Sequence, residues 1–592
     1  MSTAIGSLAP VIKRGGAVID DKWMNRLVLM RIERAVGLVG RATMRFTDDG
    51  YTLSAADVFT LGTTVSVSES GGGLLFEGSV TGISLEQSGG GIPQLVVVID
   101  DAAYKLGRGT KVVTHLNTSY SGLVRQMAQA HGLMAKVDAK NMSESIDYLL
   151  QAGTDLEFLN TIVERLGAVW WLEGDKNLLV TNIDVESPAF MLTLGEELDE
   201  FSVRASGLRP TELTVNGWDP ANQQELEGRS TPPSGNGQAR LLEKYLGTKP
   251  SSALTAAPAA MSDVPPLTNA EATAMATGRF GDWAAAAVVA RGAGDIDGRV
   301  KPGITIGVRD AGPASGNYLV TEVEHVYATS GFTTRFTAGP RRPAGLVDTL
   351  ASTPADPGFL ISGLVVAVIT DNDDPDGAGR VKVRYTGING QIESPWARVV
   401  TLGAGAARGA VFQPEVADEV LVGFERSDTR RPVVIGGLFS DKNTLPTGEK
   451  YVTGGAVNYR RITSRKNHIV EFADGTGPST QHILLGLGTA EHKLRLGADR
   501  FDIEVASGKP LTIKAGSAKF DISSSGDITI EANNITIKAQ MALKLEAGTQ
   551  AELKGTAQTA IQGAQVQVKA DGVGSIEAGG PLTLKGAVVG IN

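Results

Sequence analysis

The 592-residue chain contains no cysteine, which excludes disulfides, thiolate metal sites and cysteine nucleophiles. Aromatics are scarce at 5%, yet 42% of residues are hydrophobic, so the cores must be built from aliphatic side chains. No apolar run approaches the roughly 20 residues that a membrane-spanning helix needs. The opening MSTAIGSLAPVIKRGG has no apolar signal-peptide core, so synthesis and assembly in the cytoplasm are expected. The net charge is −10 with no block of like charge, which gives nucleic-acid binding no support.

Catalytic signatures are missing as well. There is no Gly-x-Ser-x-Gly elbow, no His-Glu-x-x-His and no Walker loop. Two glycine strings, Gly292 to Gly298 and Gly403 to Gly409, are each one residue too long for a dinucleotide fingerprint. The six histidines (115, 131, 325, 468, 482 and 492) show no metal-ligand spacing. No catalytic residue, metal site or cofactor is assigned.

Glycine is plentiful: 73 of 592 residues, about 12% against a usual ~7%. With so many turns and so few aromatics, the expected fold class is mainly β. The length suits three to five domains of roughly 100–200 residues.

The clearest pattern lies at the end. An apolar–x–apolar triplet recurs at Phe501-Asp-Ile503, Leu511-Thr-Ile513, Phe520-Asp-Ile522, Ile528-Thr-Ile530, Ile535-Thr-Ile537 and Leu543-Lys-Leu545. Weaker copies at Ala551 and Thr559 lead to Val566-Gln-Val568, Gly574-Ser-Ile576 and Leu582-Thr-Leu584. Six of the ten steps are eight residues long. In each triplet the outer two side chains share one face, and Ala, Gly, Ser and Asn between triplets permit sharp corners.

An octad is too short to wrap a core alone. Three octads could form one coil of a single-chain β-helix, or three chains could each supply one side. The repeat resets at every octad with no third-octad modulation, which favours an intertwined trimer. Ten layers at about 4.8 Å make a rod on the order of 50 Å. Its expected trimer core is Leu511, Ile513, Ile528, Ile530, Ile535, Ile537, Leu543, Leu545, Val566, Val568, Leu582 and Leu584. Enzymatic solenoids usually carry long loops and clustered carboxylates along one groove; here the turns are short and residues 493–592 hold 11 Lys+Arg against 10 Asp+Glu.

Residues 359–446 read as about five short strands, as in a small OB barrel. The acidic turn Asn372, Asp374, Asp376, Gly377 matches the first positions of an EF-hand loop, but Val383 stands where its bidentate glutamate belongs. A hairpin turn is the expectation. The strings DPDGAGRVKVRY (374–385), SPWARV (394–399) and PEVADEVLVGFERSDTRRPVVIGGLF (414–439) resemble the barrel of the VgrG and phage baseplate-V spike family.

Upstream, two segments resemble each other: Gly62-Thr-Thr-Val-Ser-Val67 with Phe76 to Ile83, and Gly303-Ile-Thr-Ile-Gly-Val308 with Asn317 to His325, about 240 residues apart. Between them Leu123, Val124, Met127 and Ala128 suit a helix face, and Thr154-Asp-Leu-Glu157 reads as a capping box before a second helix that Gly167 ends. Gln151, Asp155, Phe158-Leu159, Glu164-Arg-Leu-Gly167, Trp170-Trp171, Val215 to Pro220 and Gly331 to Phe336 resemble the late-control D hub of the same family. That resemblance implies a homotrimer whose duplicated hub barrels form a pseudo-sixfold ring against a tail tube, with a β-helical needle behind the OB barrel.

The expected layout is a hub at 1–345 with an α/β insertion around 118–200, a linker at 346–358, the OB barrel at 359–446, a neck at 447–490 and the spike at 491–592. Residues 228–275 read as a loop or mobile insertion. The 44-residue neck leaves no room for a lysozyme domain, and no His-x-His apex or appended effector follows the rod. The apolar end Val588, Val589, Gly590, Ile591, Asn592 should be covered, by a PAAR-type tip protein if the resemblance holds. The expected role is a structural hub and spike of a contractile injection system, partnered by inner tube and baseplate proteins and by cargo effectors, and touching a target membrane only by puncture. The alternatives are a glycan-active enzyme or adhesin with a solenoid tail, and an activity hidden in the 228–275 loop.

Overall fold

The computed structural model describes residues 9–182, 185–206, 210–231, 257–262, 265–329, 331–339, 361–446, 450–488 and 491–591. It forms two compact units, Met1–Leu445 and Pro446–Asn592.

The first unit is built on a duplication. Its first repeat has strands β1 (Leu27–Ala35), β2 (Arg41–Thr47), β3 (Thr64–Ser68), β4 (Leu74–Glu86) and β5 (Gln94–Asp100). The second has β6 (Leu198–Ala205), β7 (Val288–Asp295), β8 (Thr305–Arg309), β9 (Gly316–Ala328) and β10 (Gly331–Ala338). Both run in the spatial order first, second, fifth, fourth, third. The registers coincide too. Val80 faces Ile99 and Gly82 faces Val98, just as Val320 faces Ala338 and Glu322 faces Thr337.

The repeated Val-Thr dipeptide now has a physical meaning. Thr81 and Thr321 are the extra residues of equivalent β-bulges. Gly62 and Gly303 sit at φ +84° and +85°, where a side chain would be strained. Their N–H groups donate to Val80 O and Val320 O, both at 2.8 Å.

The repeats keep separate cores, Met30, Ile32, Phe46, Val97 and Ile99 in one and Ala290, Ile306, Tyr318, Val323 and Phe336 in the other. They are nevertheless one hydrogen-bonded surface. β9 pairs with β1 from Glu322↔Ala35 to Tyr327↔Met30, uniting both in a 13-stranded sheet.

Insertions decorate this frame. Helix α1 (Tyr120–Ala130) buries Leu123, Val124, Met127 and Ala128, as its apolar spacing predicts. Helix α2 (Asp155–Arg165) starts at the Thr154–Glu157 capping box and ends before Gly167 at φ +65°. Both pack with Phe158, Ile162 and Trp170 in one core. The expectation of a loop over 228–275 is corrected in part. Residues 224–230 and 258–261 are strands and α3 (Asn269–Ala286) begins inside it, capped by Thr268; its centre, 232–256, lies outside the described residues, as does the 346–358 linker.

The small barrel has strands β11 (Leu364–Asp371), β12 (Lys382–Arg384), β13 (Arg398–Val399), β14 (Glu419–Phe424) and β15 (Pro432–Gly437) in the order β12-β11-β14-β15-β13. A bridge between Val381 and Ala397 closes it. Ala367, Ile369, Val383, Tyr385, Val420, Val422 and Val434 fill the interior.

The second unit opens with an antiparallel meander, β16 (Tyr459–Thr463), β17 (Ile469–Asp474), β18 (Gln481–Leu487), β19 (His492–Gly497) and β20 (Phe501–Glu504). β18 and β19, on either side of the expected neck–spike boundary, pair in one sheet. A second meander follows, β21 (Leu511–Ala515), β22 (Ala518–Ile522) and β23 (Ile528–Glu531).

Candidate functional site

The second unit carries an apolar surface that no other described residue of the unit covers. In the first meander the register stacks Ile462, Val470, Leu485, Leu494 and Ile503 in one row. A second row, Phe472, Ile483, Leu496 and Phe501, lies beside it on the same face. All but Leu494 are exposed. Sequence reasoning passed over this face as a neck; the alternation in HIVEFAD and HILLGL carries it. The opposite face is polar and closed. Glu471 is buried, pairs with Arg461, and lies 3.0 Å from His482 Nε2, while Arg461 also donates to Pro446 O at 3.4 Å.

The second meander repeats the pattern. Leu511, Ile522 and Ile528 align in one row and Ile513, Phe520 and Ile530 in the next. Over 511–530 these expected rod residues face one another across strands of one chain.

Beyond Glu531 the chain changes character. Among the described residues, none in 532–591 makes a backbone–backbone hydrogen bond. The backbone bends at 533, 540, 548, 556, 564, 571, 579 and 587, with straight runs between. The octad of the sequence is therefore a corner every seven or eight residues. Ile535, Ile537, Leu543, Leu545, Val566, Val568, Leu582 and Leu584 all lie in these runs and are 53–88% exposed. At the end, Val588, Val589 and Ile591 are exposed and Gly590 has open space around it; Asn592 lies outside the described residues. Some 60 residues of backbone with a periodic aliphatic edge thus lack partner strands among the described residues, though such backbone groups call for partners.

The first unit holds a buried ionic group that no sequence pattern announced. Arg165 Nε donates to Glu271 Oε1 at 2.7 Å, Arg430 Nη1 to the same oxygen at 3.0 Å, and Arg430 Nη2 to Asp428 Oδ2 at 2.7 Å. Arg431 adds bonds to Trp218 O at 2.9 Å and Pro266 O at 2.6 Å. Burial by itself would raise the Glu271 carboxyl, but the Arg430 and then the Arg165 guanidinium outweigh it and leave it at about 2. The group ties α2, α3 and the loop before β15 together.

Elsewhere the polar clusters are self-satisfied. Asp374 accepts from the N–H groups of Ala378 and Arg380 and from the Arg380 guanidinium, whose Nη2 lies 2.6 Å from Oδ1. A fixed cation thus occupies the face that calcium would need, and the turn is a hairpin lock. Each histidine ring has a partner: Gln151 for His115, Asp155 for His131, Thr334 for His325, Glu471 for His482, and the N–H groups of Gly488 and Ala506 for His468 and His492. Among the described residues no cluster of three or more His, Asp or Glu could hold a metal ion.

The first unit thus holds a duplicated β domain and a five-stranded barrel, and the second a strand-repeat tail. The chain belongs to the Alg8 N-terminal domain family, whose model matches residues 7–328, and residues 365–439 match the Type VI secretion system/phage-baseplate injector OB domain, in keeping with the resemblance to the VgrG and phage baseplate-V spike family. It is 31% identical over 143 residues to the Type VI secretion system spike protein VgrG5 of Pseudomonas aeruginosa, a match covering 22% of this chain and 18% of that one. The matched stretch therefore spans less than a fifth of the curated relative. Among solved structures, an E. coli component of the type VI secretion system is 16% identical, with 72% of this chain and 99% of that one covered and a TM-score of 0.46. The 43 kDa tail protein of prophage MuSo2 from Shewanella oneidensis is 14% identical, covering 57% and 99%, with a TM-score of 0.44. The strings around DPDGAGRVKVRY that suggested the family fall within the matched barrel.

Proposed function

We propose that the protein is the homotrimeric hub and spike of a contractile injection system, a structural part and not an enzyme. The observation that carries this reading is the stretch 532–591: a bend every seven or eight residues, exposed aliphatics between bends, and no backbone partner among the described residues. Three copies wound together supply each strand with neighbours and turn the aliphatic edge inward. Every such side chain then contributes about 1.5–3 kcal/mol of burial, three times over. The exposed rows of the two meanders continue the same apolar lining as three-sided prisms.

Work is done by stiffness. A narrow rod driven by a contracting sheath concentrates force on a target envelope and needs no catalytic group. The hub would meet the baseplate and inner tube, and the apolar end at Val588–Ile591 would seat a tip protein of the PAAR type, through which cargo is carried. Assembly in the cytoplasm and delivery outside on firing complete the reading. Replacing Val589 and Ile591 with Asp is expected to abolish co-purification of the tip protein; undiminished binding would remove the tip from the scheme. Hydrolysis of peptidoglycan or a polysaccharide by the purified protein would favour the rival enzyme reading instead.

A further inference from the structure

The sequence holds three Asn-Gly dipeptides, at 216–217, 236–237 and 389–390. Glycine has no side chain to shield its nitrogen, so in this dipeptide a backbone nitrogen most readily attacks the preceding side-chain amide. Asn236 lies outside the described residues. The other two sit in opposite settings.

Asn216 and Gly217 lie within the strand Glu212–Asp219, in ladder register with Glu227 and Leu226. A Cβ on Gly217 would lie 2.6 Å from Pro266 Cγ, so packing as well as pairing fixes this backbone. Attack on Asn216 would swing the Gly217 nitrogen out of the extended conformation that the ladder holds.

Asn389 and Gly390 lie in the loop between β12 and β13. The loop is pinned on either side: Asn389 N–H donates to Tyr385 O at 3.2 Å, and Ile392 N–H donates to Asn389 O at 3.0 Å. Between these bonds Gly390 is exposed, and its N–H donates no hydrogen bond among the described residues. The Asn389 amide is held at both ends. Its Oδ1 accepts from Gln391 N–H at 3.0 Å, and its Nδ2 donates to Val112 O at 3.2 Å. The first bond draws electrons from Cγ and would stabilise the oxyanion formed by an attack there. The second crosses from the barrel to the strand Lys111–Ser119, beside the place where Val112, Tyr148 and Leu150 join the barrel core.

We infer that Asn389 is a self-modifying site. The Gly390 nitrogen, giving its proton to solvent, bonds to Asn389 Cγ; the Cγ–Nδ2 bond breaks and ammonia leaves. Water then opens the cyclic imide at either carbonyl, leaving aspartate or isoaspartate, with nothing oxidised or reduced. A carboxylate oxygen replaces the Nδ2 donor that faced Val112 O, so acceptor meets acceptor and the bond across this junction is lost.

The test holds the full-length protein folded at mildly alkaline pH for days, digests it with trypsin and weighs the peptides 385–398 and 205–229. The first should gain the mass of an amide-to-acid conversion, placed at Asn389 by fragmentation, and split into aspartyl and isoaspartyl forms. Asn216 should stay an amide. In urea both should convert, showing that the folded strand protects Asn216. Gly390→Ala is the control for mechanism. A Cβ there meets nothing within 4 Å and φ lies outside the left-handed range, so the loop keeps its shape while the attacking nitrogen is hindered; this variant should keep its Asn389 amide. Survival of the Asn389 amide alongside that of Asn216 in the folded protein overturns the inference, as does equal conversion in Gly390→Ala. Asn389→Asp, which mimics the product, should unfold at a lower temperature than the parent; an unchanged midpoint would overturn the consequence drawn for the Val112 contact.

Discussion

Arg165, Glu271, Asp428 and Arg430 sit with side chains 0–5% exposed, and their charges are tolerable only as a set. Removing the carboxylate that two guanidiniums share would leave uncompensated charge in the interior. Glu271→Gln should therefore cost about 3–5 kcal/mol, read as a lower urea midpoint of the full chain. None of this was legible in the sequence. Arg165 and Glu271 are 106 residues apart, and Glu271 and Arg430 are 159 apart, so no local spacing could mark them. His325 offers a second test. Burial, with Arg34 nearby, pulls its imidazole from 6.5 down to about 3. An unfolded chain takes up that proton near pH 6.5 and the folded one does not, so stability is lost as pH falls below 6.5, by about 2 kcal/mol at pH 5. Asp101 works in the opposite sense. Burial raises its carboxyl from 3.8 to about 6, so its contribution is present at low pH and is lost as pH rises through 6. In His325→Gln, lowering the pH from 7 to 5 should therefore cost clearly less stability than in the parent chain. Equal losses in the two proteins would contradict the assignment.

Elements were easier to read where their cause is local. The Thr154 capping box, the apolar face of α1 and the octad each depend on residues a few positions apart, and each stands where the sequence placed it. The duplication was visible because a bulge and a left-handed glycine constrain residue type at matched positions. What escaped were elements whose signal is diluted. Helix α3 is rich in small residues, and its packing explains why: a Cβ on Gly278 would lie 2.4 Å from Gly167 Cα, and one on Gly228 would lie 2.1 Å from Ala272 C. Backbone meets backbone there, so Gly278→Val should lift α3 from the end of α2 and lower stability by about 1–3 kcal/mol, measured by thermal unfolding. The meander over 459–504 was missed for another reason. Arginines, histidines and glycines interrupt its alternation, because one face is polar and covered while the apolar one is exposed.

At the scale of the whole molecule the sequence revealed more than the single chain displays. The octad predicts inward aliphatics, in one chain those residues are exposed, and the proposed trimer is what would bury them. Replacing Ile535 and Ile537 with Asp would place two charges per chain at the rod axis and should shift the population to monomers while leaving the first unit folded. Circular dichroism and gel filtration would check both halves of that expectation. The most direct measurement is the mass of the intact protein in solution by sedimentation or light scattering. Three chains of 61.8 kDa, about 185 kDa in all, is the predicted result; a species of 61.8 kDa at every concentration would contradict the account.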